Sequence, residues 1–160
     1  MERQYTRIDQ VRALIDPIIK GINDEETKRC AYVHLYGVGL MAAMIALKRG
    51  HSRRTAELAE IAGMLHDLLK YHDPTTTDHA HDGAEFARRQ VLDELDSLTD
   101  EEKQLVYDGI YNHSDKHIMG TPFEEIIKDA DVLQHSLRNP CEDYYYFDSR
   151  MQALIDEIIV

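Results

Sequence analysis

Apolar residues recur along most of the chain at intervals of three and four, the spacing of a helix with one buried face. Ile8, Val11, Leu14, Ile15, Ile18 and Ile19 mark a first helix to about Gly21, with Pro17 as a candidate bend. Asn23 or Asp24 can cap a second, long helix that Gly50 ends. Its apolar positions include Val33, Val38, Leu40, Met41, Met44, Ile45 and Leu47, so much of it is expected inside. Gly37 and Gly39 cost helix propensity there but permit close approach of another element. Ser52 can open a third helix, which carries the apolar run from Ile61 to Leu69 and stops near Asp73-Pro74.

The polar loop Thr75-Thr76-Thr77-Asp78 precedes a fourth helix from about His79 to Leu95. Thr99-Asp100-Glu101-Glu102 is a capping box that opens a fifth helix towards Asn112. Ser114 to Gly120 reads as a loop. Thr121-Pro122-Phe123-Glu124 then supplies an N-cap, a proline at the first helical position and the box glutamate. That sixth helix ends before Asn139-Pro140, and a last amphipathic helix runs from about Phe147 to Ile159. No stretch alternates with the period of a strand. The expected fold class is all-α, a bundle of about six to seven helices, and 160 residues are most simply one domain spanning 1–160.

Composition narrows the function classes. A net charge of −12 argues against polymeric nucleic acid as a partner, while leaving room for a local basic pocket. Cys30 and Cys141 form no paired motif and fit free thiols in a reducing cytoplasm. Met1 to Tyr5 is polar and leads into no signal-peptide core. No apolar run reads as long enough to cross a membrane, so a cytoplasmic protein without a membrane partner is expected. The Tyr144-Tyr145-Tyr146-Phe147 run reads as internal packing or as a contact between copies in a homodimer, rather than as a base-stacking platform.

The third helix contains an anomaly. His66-Asp67 interrupts Ile61-Ala62-Gly63-Met64-Leu65, and such a pair is costly to bury unless it is paired, hydrogen-bonded or bound to metal. On a continuous helix the two side chains point about 100° apart, and Lys70 shares a face with His66. One reading is a core histidine beside an Asp67–Lys70 pair; the other is a metal centre. His34, among apolar neighbours of the second helix, and Asp131, in Lys128-Asp129-Ala130-Asp131-Val132-Leu133 of the sixth, add candidate ligands on two more helices. Helical bundles build metal sites from inward side chains on facing helices in this way.

The order His…His-Asp…Asp resembles the HD superfamily of metal-dependent phosphohydrolases over roughly Cys30 to Arg138, within a motif-bearing core of about 24–138. The apolar lead-in to His66-Asp67, the lysine at Lys70 and the Ala130-Asp131 pair all look like that family. The resemblance implies one or two divalent ions on His34, His66, Asp67 and Asp131. Imidazole and carboxylate suit Mn, Fe, Ni, Co, Zn or Mg. For a second ion, His79-Ala80-His81-Asp82-Gly83-Ala84 looks like the family's histidine before Gly-Ala, with His79 the first choice and His81 its competitor as ligand or substrate contact. Ile110-Tyr111-Asn112-His113 resembles the other, making His113 a ligand or a substrate contact. Asp67 and Lys70 carry the implied catalysis, with Lys70 on a substrate phosphate and Arg138 a further phosphate contact if the sixth helix lines the pocket.

The function implied is hydrolysis of a phosphomonoester or phosphodiester in a small substrate, a nucleotide foremost, by metal-activated water. The alternative is a non-catalytic HD module that binds a nucleotide or metal as a sensor. His51, His72, His117 and His135 match nothing in the pattern and are expected at the surface or as caps, with Asp129 read as an exposed helix aspartate ahead of a partner that supports a metal ligand. The GYP element of cyclic-di-GMP phosphodiesterases is missing after His113, and no synthetase or effector domain of the stringent-response enzymes is attached. The short loop before His79 departs from the HD-type diadenosine tetraphosphatases, which leaves the substrate open.

Overall fold

The computed structural model describes residues 5–141 and 148–159, which form helices and no strand. Helix α1 (Arg7–Lys20) opens at a capping box between Thr6 and Asp9 and runs through Pro17. Helix α2 (Glu25–Lys48) starts where the Asp24 carboxylate accepts the Thr27 amide at 2.7 Å. It stops before Gly50, whose φ of +79° is the one left-handed residue among those described. Helices α3 (Arg53–Leu65), α4 (Leu68–His72), α5 (His81–Gln90), α6 (Asp100–Tyr111), α7 (Pro122–Arg138) and α8 (Ser149–Ile159) follow, with a 3₁₀ turn at Leu92–Glu94. The capping boxes at Thr99 and Thr121 open α6 and α7 as expected from the sequence. The Tyr144–Phe147 run lies outside the described residues, so α8 is described from Ser149.

Helix α2 is the axle of the bundle. Its face of Ala31, Leu35, Val38, Ala42 and Ile45 is buried between α3 and α7. Contact with α3 is backbone to backbone. A Cβ placed on Gly63 would sit 2.7 Å from Gly39 Cα, which is the close approach that a glycine at 39 makes available. Two expectations about α2 are corrected. Val33, Leu40, Met44 and Leu47 lie 43–59% exposed, because the helix is apolar on two sides and its neighbours cover one. By length and hydropathy α2 also meets the dimensions of a membrane span; its buried face makes it the central helix of this bundle.

The third helix is not continuous. It ends at Leu65, Asp67 adopts φ −115°, ψ 14°, and α4 begins at Leu68. The cause lies in the side chain of His66, whose Nδ1 bonds Gly63 O at 2.7 Å. In an unbroken helix that carbonyl would accept the amide of residue 67. The same competition between side chain and ladder closes α6, where His113 Nδ1 bonds Ile110 O at 2.7 Å. The fourth predicted helix is also shorter than expected. His79 and Ala80 lie in the preceding turn, and Val91 breaks the helix before the 3₁₀ turn.

Candidate metal centre

Three histidines are held by one ring nitrogen and aimed inward by the other. His34 Nδ1 lies 2.6 Å from Gln134 Oε1 of α7, while His66 and His113 bond main-chain carbonyls. A carbonyl oxygen only accepts, so Nδ1 carries the proton in each case and the Nε2 lone pair faces the interior. This is how metal-binding imidazoles are oriented by their outer partners. All three side chains are buried, as are Asp67 and Asp131.

The Nε2 atoms of His34 and His66 lie 3.2 Å apart. Asp67 Oδ2 is 3.5 Å from each, and Asp131 Oδ1 is 3.4 and 3.5 Å from them. Ligands about 2.1 Å from one ion stand roughly 3.0 Å apart at octahedral angles and 3.4 Å at tetrahedral ones. His34, His66 and Asp131 thus form a set of ligand atoms within 4.8 Å of one another, a spacing that fits a single divalent ion, with Asp67 Oδ2 beside both histidines. Two imidazole lone pairs facing each other at 3.2 Å need a cation or a proton between them. Burial alone would lower His34, but the adjacent Asp131 and Asp67 carboxylates outweigh it and raise the ring to about 9. His66 is pushed down by burial. Burial would raise both carboxyls, yet the surrounding histidines hold Asp67 and Asp131 well below the usual range. Asp67 Oδ1 and Asp131 Oδ1 are buried and accept no hydrogen bond. A cation resolves that deficit, so the donor set, the spacing and the two orphaned oxygens all fit a metal ion.

Asp67 faces two ways. Its Oδ1 lies 3.3 Å from His113 Nε2 and 3.8 Å from His79 Nε2, on the side away from His34. One carboxylate thus offers an oxygen to each of two groups, and His66, Asp67 and His113 form a second set of ligand atoms within 4.8 Å of one another. His79, not His81, faces this set. Asp78 takes His81 Nδ1 at 2.9 Å and the ring stacks on Tyr111 at 3.9 Å.

Above the cluster opens a cavity of about 440 Å³, lined by Asp67, Lys70, His79, His113, Lys116 and Asp131 among others. Lys70 Nζ donates to Asp67 Oδ2 at 3.0 Å, and Lys116 Nζ donates to Asp131 Oδ2 at 2.7 Å. Each metal-facing carboxylate thus carries one lysine on the cavity side. Lys116 comes from the loop after α6 and has no periodic signal in the sequence. His117, a surface residue as expected, and His135 also line the cavity, and the expectation of a surface or capping residue is corrected for the half-buried His135 alone. His135 follows Asp131 by one turn, with Nε2 3.4 Å from Asp131 Oδ1 and its ring 4.5 Å from His34. Burial presses it down to about 4. The four-residue spacing from Asp131 was the available clue. Arg138 sits at the exposed end of α7, 3.4 Å from His135 Nδ1 and outside the cavity lining. Asp129 is not an exposed aspartate: it is buried and bonded to Arg49 at 2.6 Å and Arg150 at 2.8 Å.

Comparison with protein-family models matches residues 31–136 to the HD domain. Neither the curated proteins nor the solved structures searched contain a match to the chain. The matched span covers about two thirds of the sequence and includes His34, His66, Asp67 and Asp131, so the chain belongs to the HD domain family.

Proposed function

We propose that this protein is a metal-dependent phosphohydrolase that cleaves a phosphomonoester or phosphodiester bond of a small substrate, with a nucleotide the leading candidate. The observation that carries this reading is the buried cluster of His34, His66, Asp67 and Asp131, whose two carboxylates line a cavity and each accept a lysine there. His34, His66, Asp67 and Asp131 would hold one divalent ion, with His113 and His79 available beside the other oxygen of Asp67 for a second. Such an ion supplies Lewis acidity towards a phosphoryl oxygen and a water acidic enough to attack near neutral pH.

The chain's own residues do the rest. Gly63 O and Ile110 O lock the tautomers of His66 and His113, and Gln134 orients His34. Lys70 is 45% exposed at its side chain and Lys116 27%, so both ammonium groups can reach a phosphoryl group in the cavity. There they offset the charge that builds on phosphoryl oxygens during transfer. An anionic substrate is favoured locally despite the acidic chain as a whole.

A panel of chromogenic phosphomonoesters, phosphodiesters and nucleotides, each with Mn, Ni, Co, Fe, Zn or Mg, tests the reading. Turnover that chelation abolishes and metal restores is expected. Silence on every substrate by protein that demonstrably holds metal would replace it with the sensor module.

A further inference from the structure

The C-terminal helix reaches into the site from outside the family-matched span. Arg150 of α8 donates to Lys116 O through both Nε (3.3 Å) and Nη2 (2.8 Å). Its remaining arm, Nη1, donates to Glu125 Oε2 at 2.7 Å and Asp129 Oδ1 at 2.8 Å, both on α7. The fork therefore spans the helix that carries Asp131 and the loop that carries Lys116. Asp148, two residues earlier, lines the metal-site cavity and accepts the Arg150 amide at 2.8 Å. Lys116 itself reaches back to Asp131 Oδ2 at 2.7 Å and His113 O at 3.2 Å. The rest of the loop is pinned from below, with Lys128 Nζ on Ile118 O at 2.8 Å and the Gly120 amide on Glu125 at 2.8 Å.

We propose that Arg150 is a positioning residue for Lys116, which makes α8 a working part of the site rather than an appendage to the HD domain. The proposal rests on the phosphohydrolase reading in one respect: Lys116 is taken as a contact for a phosphoryl group. Arg150 touches none of the candidate ligands His34, His66, Asp67 and Asp131 and does not itself line the cavity. It acts by fixing the main chain at the residue whose side chain stands over Asp131. Only a planar fork with donors on several edges can hold one carbonyl with two N–H groups and two carboxylates with another, so lysine is no substitute.

The test uses the full chain with Arg150→Ala, Arg150→Lys, Lys116→Ala and the Arg150→Ala/Lys116→Ala double variant. In metal-free protein, amide exchange over residues 115–120 should quicken in both Arg150 variants and remain slow over α2. With Mn-loaded protein, calorimetric binding of inorganic phosphate should weaken about tenfold in Lys116→Ala and by the same factor in Arg150→Ala. The double variant should lose no more than either single one, because two residues acting as one unit are not additive. Arg150→Lys should recover thermal stability but not phosphate binding. Losses that multiply towards a hundredfold in the double variant, unchanged exchange in the loop, or full recovery by lysine would each overturn the proposal. Native protein that holds Mn yet neither binds phosphate nor turns over an ester removes the phosphohydrolase reading instead, and loop exchange alone then decides whether the Arg150 clamp exists.

Discussion

Asp67→Asn removes one charge and almost no volume from the residue on which both ligand groups converge. With a cation at 100 times its dissociation constant, one-site linkage stabilises the native protein by about 2.7 kcal/mol. For a chain of this length each kcal/mol moves the melting temperature by about 2–4 °C, so saturating Mn should raise it by about 5–11 °C over the chelated protein. Asn keeps a neutral oxygen in place of the carboxylate that lies 3.5 Å from His34 and His66 and 3.3 Å from His113. A hundredfold loss of affinity, at the upper end of what even an outer-partner change costs, leaves the same Mn at its dissociation constant. Stabilisation then falls to about 0.4 kcal/mol, a shift of about 1–2 °C. Melting curves with EDTA and with Mn, each protein serving as its own reference, read the difference. Asp93→Asn, an exposed carboxylate elsewhere, should keep the full shift. A native-sized shift in Asp67→Asn would refute the assignment of Asp67 as a ligand.

Three further outcomes follow from the same geometry. His34 is raised to about 9 without metal, so its stabilising proton is fully present below about 6.5 and lost as pH rises towards 9; a cation must displace that proton, and apparent Mn affinity should climb by up to tenfold per pH unit across this window. Titration calorimetry in matched buffers checks it, and a flat profile contradicts a protonated His34. Gly63→Ala places a Cβ 2.7–2.8 Å from the Gly39 backbone, which cannot yield as a side chain can, and should cost about 1–3 kcal/mol and several degrees of melting temperature; an unchanged melt would mean that α2 and α3 are not in backbone contact. Under excess Mn the native chain is expected to hold two ions and His113→Ala one, by elemental analysis; one ion in both would make the centre mononuclear.

What could be read from the chain alone divides along a physical line. Helix existence and the caps at Asp24, Thr99 and Thr121 are local, decided within three or four residues, and they match the structure. The order of His34, His66-Asp67 and Asp131 was legible because a costly polar pair inside an apolar run needs a partner, and other helices could supply it. The break after Leu65 was not, because it depends on a ring nitrogen outcompeting a backbone amide for Gly63 O, a choice that periodicity does not register. The exposed stripe of Val33, Leu40, Met44 and Leu47 escaped for a related reason: a helix apolar on two faces does not announce which face its neighbours will cover. His79 and His81 could not be separated by spacing, since what separates them is Asp78 capturing one ring and stacking on Tyr111 holding it. Lys116, His135 and Arg150 are the further step in the same direction. Their places exist only once α6, α7 and α8 are packed, when a loop lysine and a histidine one turn beyond Asp131 meet at that carboxylate and an arginine from the C-terminal helix holds the lysine's main chain. The candidate ligands and Lys70 are therefore written in the order of the chain, while Lys116 and the Arg150 fork that holds its main chain are written in the packing.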